Sequence, residues 1–438
     1  MADVLADAID AFFAQPRAPR VRIRTPAGGD PLQAITVTAD PLDRGGILTN
    51  QFPAKEWAIT DDVLNVADTA CVTVANDDGE NAGKFALGQR IEIDISDPDV
   101  AGGQWLRQFT GRITALETCS DLSGGSVIQI SAMDLGWHLT SSAGPPLFNL
   151  KGITFNALLS AVIDPSWGFG PIVSDASLNT RLKHGRQVII INHKPVLGAV
   201  LPFIQIEPGQ SPWDVIRLYA ARNGVLINVG ARGELIFFQP QYNDQPLYDV
   251  EYHPAHDLAR NSNNIVGRPT LRETIDGRYT EVQCWSTVVI PPEIQNTENP
   301  NEAYRHATYK PTPRPLPFNR RHVFSDPEAI NQTLRLNRAV WKYQMDLFNS
   351  WEYSCEFNRV SQGGALFVSN TMISVNDAVN GVTPGAYYLQ AVRKSCTMRE
   401  GGPRAKLTVR RPGLLNPALN SLLGGGAQKA AALPPAVP

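Results

Sequence analysis

Apolar and polar residues alternate in short runs through the first third of the chain. Val21–Arg24, Ala34–Thr38, Glu56–Ile59, Cys71–Val74, Arg90–Ile95, Gln108–Thr114 and Ser126–Ser131 are seven such runs. Several carry the two-residue period of a half-buried strand. Short strands divided by turn residues predict a barrel or sandwich over 19–139. Ahead of it, Val4, Leu5, Ile9 and Phe12 predict a short amphipathic helix within an arm at 1–18.

From about 140 the period changes. Phe155, Leu158, Leu159 and Val162 fit a short helix, with Thr154 as its cap and Pro165 as its stop. Gln187–Asn192 and Phe203–Ile206 read as strands. The clearest local reading in the chain follows, over Gln210–Phe238. Ser211 caps a helix, Asp214 completes a capping-box pattern and Pro212 takes the first helical position, where a missing N–H costs nothing. Trp213, Ile216 and Ala220 share one face, extended by Tyr219. Gly224 supplies a left-handed stop. Val225–Val229 and Glu234–Phe238, joined by a turn with Gly230 and Gly233 at its ends, make a hairpin. Residues 140–245 are thus a mixed α/β module.

Strand patterns return over 246–411: Glu281–Trp285, Ser350–Phe357, Met372–Val375, Ala386–Val392 and Ala405–Arg410. Trp351 and Tyr353 share a strand face, as do Tyr387 and Leu389, and core packing is their expected role. Pro291–Arg321 is rich in Pro, Asn and Arg and reads as an exposed excursion. A long helix is expected at 327–348, capped by Ser325 with Glu328, with Ile330, Leu334, Trp341, Met345 and Phe348 as its apolar stripe. Residues 412–438, rich in Pro, Gly and Ala, read either as a disordered tail or as a peptide that orders against a partner. The fold class is therefore α+β, mostly β.

Composition narrows the function. A net charge of −3 gives no bulk electrostatic case for nucleic-acid binding. No run approaches the about 20 apolar residues of a membrane span, and Met1–Asp10 is acidic where a signal peptide would be basic. Only 18% of residues are charged, which suits a surface covered by other subunits. The five cysteines, Cys71, Cys119, Cys284, Cys355 and Cys396, are scattered and read as free buried thiols in a reducing compartment.

The search for catalytic or metal chemistry assigns no catalytic, cofactor-binding or metal-binding residue. The chain has no GxSxG elbow, no P-loop and no GxGxxG after a strand. Gly168–Gly170 and Gly230–Gly233 read as turns. His253, His256 and Asp257 could supply three metal ligands, but Pro254 between the histidines makes the segment a loop. Glu251 and Asp257 could pair for glycoside cleavage, but surface carboxylates are common. Arg314, Arg320, Arg321 and His322 read either as solvated loop charges or as a contact for an acidic partner.

The order of these elements resembles a known family. Gly88–Ile95 followed by Phe109–Ile113 is similar to a hairpin of the baseplate hub of contractile-tailed bacteriophages, a family that takes in Mu-like tail protein P, late control protein D and the hub part of VgrG proteins. Val127–His138, Gly152–Leu159 with Gly168–Gly170, and Ile206–Phe238 resemble successive segments of the same family. The resemblance spans about 85–240 closely and the rest by element order. The chain departs from the pattern at Leu135–Leu139 and in the excursion at 291–321. The resemblance implies two β-barrel tube domains, 19–139 and 246–411, flanking a LysM-like module. It implies a homotrimeric ring, with the tail tube above, a spike below, wedge proteins around and genomic DNA passing through without specific binding. The expected place is the virion tail baseplate, assembled in the host cytoplasm. Two other readings stand beside it. One is a tail-associated peptidoglycan hydrolase; the other is a cell-wall glycan-binding module that would stack sugar on Trp167 or Trp213.

Overall fold

The structure is a computed structural model. It describes residues 20–25, 50–76, 79–121, 125–144, 147–150, 153–169, 200–201, 204–206, 208–222, 226–238, 240, 242, 244–253, 263–286, 306–312, 315–326, 329, 332–397 and 402–412. The expected N-terminal helix, the strands at 34–38 and 187–192, the Gly224 stop, residues 291–305 and the tail beyond 412 lie outside them.

Six strands build the first part: β1 (Arg20–Thr25), β2 (Asn50–Asp62), β3 (Thr69–Ala75), β4 (Arg90–Ser96), β5 (Trp105–Asp121) and β6 (Gly125–Asp134). The antiparallel pairings run β1-β4-β5-β6-β3-β2, and β2 pairs again with β1. The strand period explains the packing. In β4, Ile91, Ile93 and Ile95 point into a core shared with Ile23, Trp57 and Val72. In β6, Ile128, Ile130 and Ala132 do the same. Gly111 is demanded by this packing. A Cβ there would lie 2.1 Å from the Met133 carbonyl of the neighbouring strand.

The middle part holds α1 (Gly136–Ser141), β7 (Leu147–Leu150), β8 (Ile153–Thr154), α2 (Phe155–Val162), β9 (Val200–Leu201), β10 (Ile204–Ile206), α3 (Pro212–Arg222), β11 (Leu226–Val229) and β12 (Leu235–Phe238). Strands pair β7–β10, β8–β9 and β11–β12. The expected caps form. Ala157 N–H donates to Thr154 Oγ1 at 3.2 Å. Asp214 N–H donates to Ser211 Oγ at 3.2 Å, while the Ser211 hydroxyl donates to the Asp214 carboxylate at 2.6 Å. Leu158, Leu159, Ile206, Ile216 and Phe237 meet in a second core.

The last part comprises β13 (Tyr248–Tyr252), β14 (Val266–Glu273), β15 (Glu281–Trp285), β16 (His306–Tyr309), β17 (Arg321–Ser325), α4 (Gln332–Asn349), β18 (Trp351–Phe357), β19 (Ser361–Gln362), β20 (Ala365–Leu366), β21 (Thr371–Asp377), β22 (Val382–Thr397) and β23 (Gly402–Arg410). Six of these run β14-β18-β23-β22-β21-β13. Pairing of β2 with β22 joins both strand sets into one twelve-stranded sheet. The chain is thus mostly β.

Three expectations need correction. Among the described residues the long helix runs Gln332–Asn349, and its expected cap Ser325 is instead committed to β17 opposite Trp285, with Asp326 N–H still reaching the Trp285 carbonyl; 327, 328, 330 and 331 lie outside them. Among the described side chains its deepest are Arg335, Ala339, Tyr343 and Phe348, with Trp341 and Met345 only half-buried; Ile330 and the Leu334 side chain lie outside them. The helix lies between the main sheet and the small sheet β16-β15-β17, so it buries more than one face. The excursion at 291–321 is not all exposed loop. His306–Tyr309 is strand β16 and Leu316 is buried. Of the five free cysteines, only Cys284 and Cys355 are buried.

Candidate functional site

The residues weighed for chemistry do not converge. His253 sits 3.7 Å from Glu251 and its backbone is held by Asn263, while His256 and Asp257 lie outside the described residues. Among the described residues no group of three or more His, Cys, Asp or Glu side chains is arranged to hold a metal. The basic cluster is internally neutralised. Arg321 pairs with Glu281 at 3.1 Å, Arg320 lies over the Tyr279 ring and near Asp276, and His322 sits between Tyr279 and Phe324. Arg314 is outside the described residues. The candidate sugar platforms are occupied: Trp167 stacks on His138 with ring centroids 5.6 Å apart, and Trp213 packs against the second core.

Two polar clusters that the sequence reading passed over dominate instead. The first lies on β4. Glu92 and Asp94 face away from the isoleucine core, yet both are buried. Arginines from both neighbouring strands cover them. Asp94 receives Arg22 at 2.9 Å, Arg24 at 3.0 Å and Arg107 at 2.6 Å. Glu92 receives Arg24 at 3.0 Å, Arg90 at 3.1 Å and Arg107 at 2.5 Å. Register puts Asp94 opposite Arg22 and Arg107, so the cluster follows from strand pairing. Burial raises the Glu92 carboxyl above its ordinary range, although Arg90 and Arg24 pull it down. Arg107 also donates to Thr110, whose hydroxyl donates to the Ala231 carbonyl of the β11–β12 turn. The cluster therefore touches the middle part.

The second cluster lines a cavity of about 110 Å³ where all three parts meet. Asp61 comes from β2, Asp68 from the β2–β3 turn, Asp134 from the end of β6 and Lys394 from β22. The β11–β12 hairpin closes one side with Asn228 and Ala231, and Val368–Asn370 another. Asp61 accepts the Ser369 N–H at 2.9 Å and its hydroxyl at 2.5 Å. Lys394 Nζ donates to Gln108 at 2.5 Å and to the Phe367 carbonyl at 2.9 Å. Burial pushes Asp68 well up, and Asp61 and Asp134 add to it. Burial pushes Asp134 up to about 8, against the backbone N–H groups that favour its ionised form. Burial pulls Lys394 down to about 8.

Asp134 had a legible signal. It continues the inward phase of Ile128, Ile130 and Ala132, a carboxylate where the core face predicts an apolar side chain. Lys394 shares the phase of buried Val392 in the same way.

The cavity has room for only a few waters. It is well below the about 300 Å³ at which substrate pockets begin. A larger cleft of about 380 Å³ lies between β14, β18 and α4, where Arg410 pairs with Glu352 at 2.8 Å and Asp346 with Lys342 at 2.6 Å within the chain.

Solved structures share this architecture. A tail protein from Neisseria meningitidis MC58 superposes with a TM-score of 0.65 at 17% identity, covering 91% of this chain and 98% of that one. The chain has the fold of phage tail proteins. The 43 kDa tail protein of prophage MuSo2 from Shewanella oneidensis gives a TM-score of 0.61 at 16% identity, covering 90% of this chain and 99% of that one. A Francisella PdpA–VgrG complex in its half-lidded form gives 0.51 at 10% identity, covering 98% of this chain and 65% of that one. No protein-family model and no curated protein sequence matches the chain. The likeness therefore lives in the fold, as the resemblance drawn from short segments implied.

Proposed function

We propose that this chain is the structural hub of a contractile tail baseplate: three copies form a ring that adapts a sixfold tail tube to a threefold spike and surrounds the path of exiting DNA. The observation that carries the reading is the likeness to whole tail proteins over nearly the full length of both chains. The strand arrangement supports it. Each copy holds two six-stranded sets joined through β2 and β22. We read these as the two tube barrels and the middle part as the LysM-like module between them. Three copies then present six similar β units, which is what an adapter between sixfold and threefold partners requires. A ring needs head-to-tail contacts, which close without a two-fold axis. A junction cavity well below substrate size suits a permanent wall rather than a site for turnover.

The tube protein above, the spike below and the wedge proteins around are the partners this reading names, within the virion tail. Size-exclusion chromatography with light scattering tests it. The expected mass is that of three chains, and micrographs should show rings. A stable monomer at micromolar concentration overturns the ring, and clearing of bacterial cell wall in a zymogram overturns the purely structural role.

A further inference from the structure

The junction cavity holds more acid than base. Asp61 and Asp62 are well served: Asp61 by Ser369, and Asp62 by the Leu64 N–H at 3.0 Å and by Gln390 at 3.0 Å, which Arg410 holds in turn at 2.6 Å. Asp68 and Asp134 are less so. Asp68 accepts only the Asp62 N–H at 3.0 Å among the side-chain bonds of the cluster. Asp134 accepts the Gly136 N–H at 2.8 Å on one oxygen, and the Asp68 and Trp137 N–H groups also favour its ionised form, while its other oxygen is buried with no hydrogen-bond partner. The residue is 4% exposed and lines the cavity.

Among the described residues Lys394 is the one cation lining the cavity; Asp61 and Asp68 both favour its charged form, so a single ammonium faces three acids. Lys394 spends its ammonium on neutral acceptors from β5 and the β20–β21 loop. The hairpin offers Asn228 and backbone, β5 offers Gln108 and Thr110, and the 63–67 loop carries no charge. In α1 the titratable side chain is His138, which stacks on Trp167. Among the described residues the acids form no metal-holding group. One ammonium cannot offset three buried carboxylates, and burying the remaining charges in the fold is costly. Protons remain as the means of compensation.

We propose that the junction is a proton-loaded latch: Asp68 and Asp134 are held as neutral acids at neutral pH, and docking of the β11–β12 hairpin onto the two strand sets weakens as they ionise. The carboxyl directions agree, both being raised by burial. A carboxyl raised in the fold binds more protons folded than unfolded, so stability falls as pH rises from the ordinary carboxylate range to about 8. Lys394, lowered to about 8, works in the opposite sense, but only above that value. His138, lowered to about 4 by burial, likewise adds stability with rising pH up to its ordinary value of about 6.5, so the window free of both is about pH 6.5 to 8.

The test uses the full chain and reads the thermal midpoint across that window in the wild type, Asp134→Asn and Asp68→Asn. An asparagine reproduces the shape of the neutral acid and keeps the acceptor for Gly136. The wild-type midpoint should fall with pH, and Asp134→Asn should lose at least half of that slope. Amide exchange over 226–238 should rise with pH in the wild type beyond its intrinsic base catalysis, and less in Asp134→Asn. Equal slopes in wild type and variant overturn the latch. If Asp134→Asn does not fold, infrared spectra of the wild type and Asp68→Asn decide. A protonated-carboxyl band at neutral pH that Asp68→Asn diminishes supports the latch, and absence of any such band overturns it.

Discussion

At the scale of single residues, environment rather than residue type sets the role. Asp94 on β4 belongs by phase to the face opposite the isoleucines, yet its side chain is 3% exposed because Arg22, Arg24 and Arg107 cover it. A buried charge with three partners is costly to break, since each arginine stays behind. Asp94→Asn is expected to destabilise the protein by about 3 kcal/mol in chemical denaturation. Gly136 shows a steric limit of the same locality. A Cβ there would stand 1.7 Å from the Val66 carbonyl, so Gly136→Ala must displace the β2–β3 turn that carries Asp68. Its expected cost is about 1–3 kcal/mol, read as a lowered thermal midpoint. Neither demand is visible in the local pattern, because Val66 and the arginines arrive from other segments.

At the scale of elements, local signals served where the partners are close in sequence. The helix caps at Thr154 and Ser211 and the β11–β12 hairpin form as their residue types require. Ser325 does not cap α4, because it satisfies a strand ladder opposite Trp285. A seam in the second strand set shows a side chain replacing a missing strand partner. Asn264 Oδ1 accepts the Glu251 N–H at 3.0 Å, and its amide donates to the Asp249 carbonyl at 2.7 Å. It bridges β13 to the chain entering β14, two strands that lie at opposite ends of the pairing order. Removing it takes the side-chain partner from the Glu251 N–H, while the Asp249 carbonyl keeps the Gln362 amide at 3.0 Å. Asn264→Ala should cost about 1–3 kcal/mol and speed amide exchange in Tyr248–Tyr252.

At the scale of the whole molecule, one long strand joins the parts. β22 spans 16 residues and pairs with β2, β21 and β23. Side chains reinforce the joint. Ser369 binds Asp61, Lys394 binds Gln108, and Ser361 donates to Asp97 at 2.7 Å. A sheet that continues across two cores gives neither core an independent boundary. Calorimetry should therefore show one unfolding transition for both strand sets rather than two, and resolved transitions would refute that coupling. The same rigidity is what a tube wall would need.

The sequence by itself determined the local elements: the period-two runs, the capped helices, the hairpin and the mostly-β class. Each rests on contacts within a few residues, which composition and spacing encode directly. Its short segments also pointed toward the fold of the tail proteins, through their order along the chain. Only the tertiary structure decided that β2 meets β22 across more than 300 residues, that arginines from β1 and β5 bury the acids of β4, and that Asp68, Asp134 and Lys394 share one cavity. Strand pairing between distant segments is fixed by the fit of whole faces, and a polar residue in a strand reads alike whether water or another strand covers it.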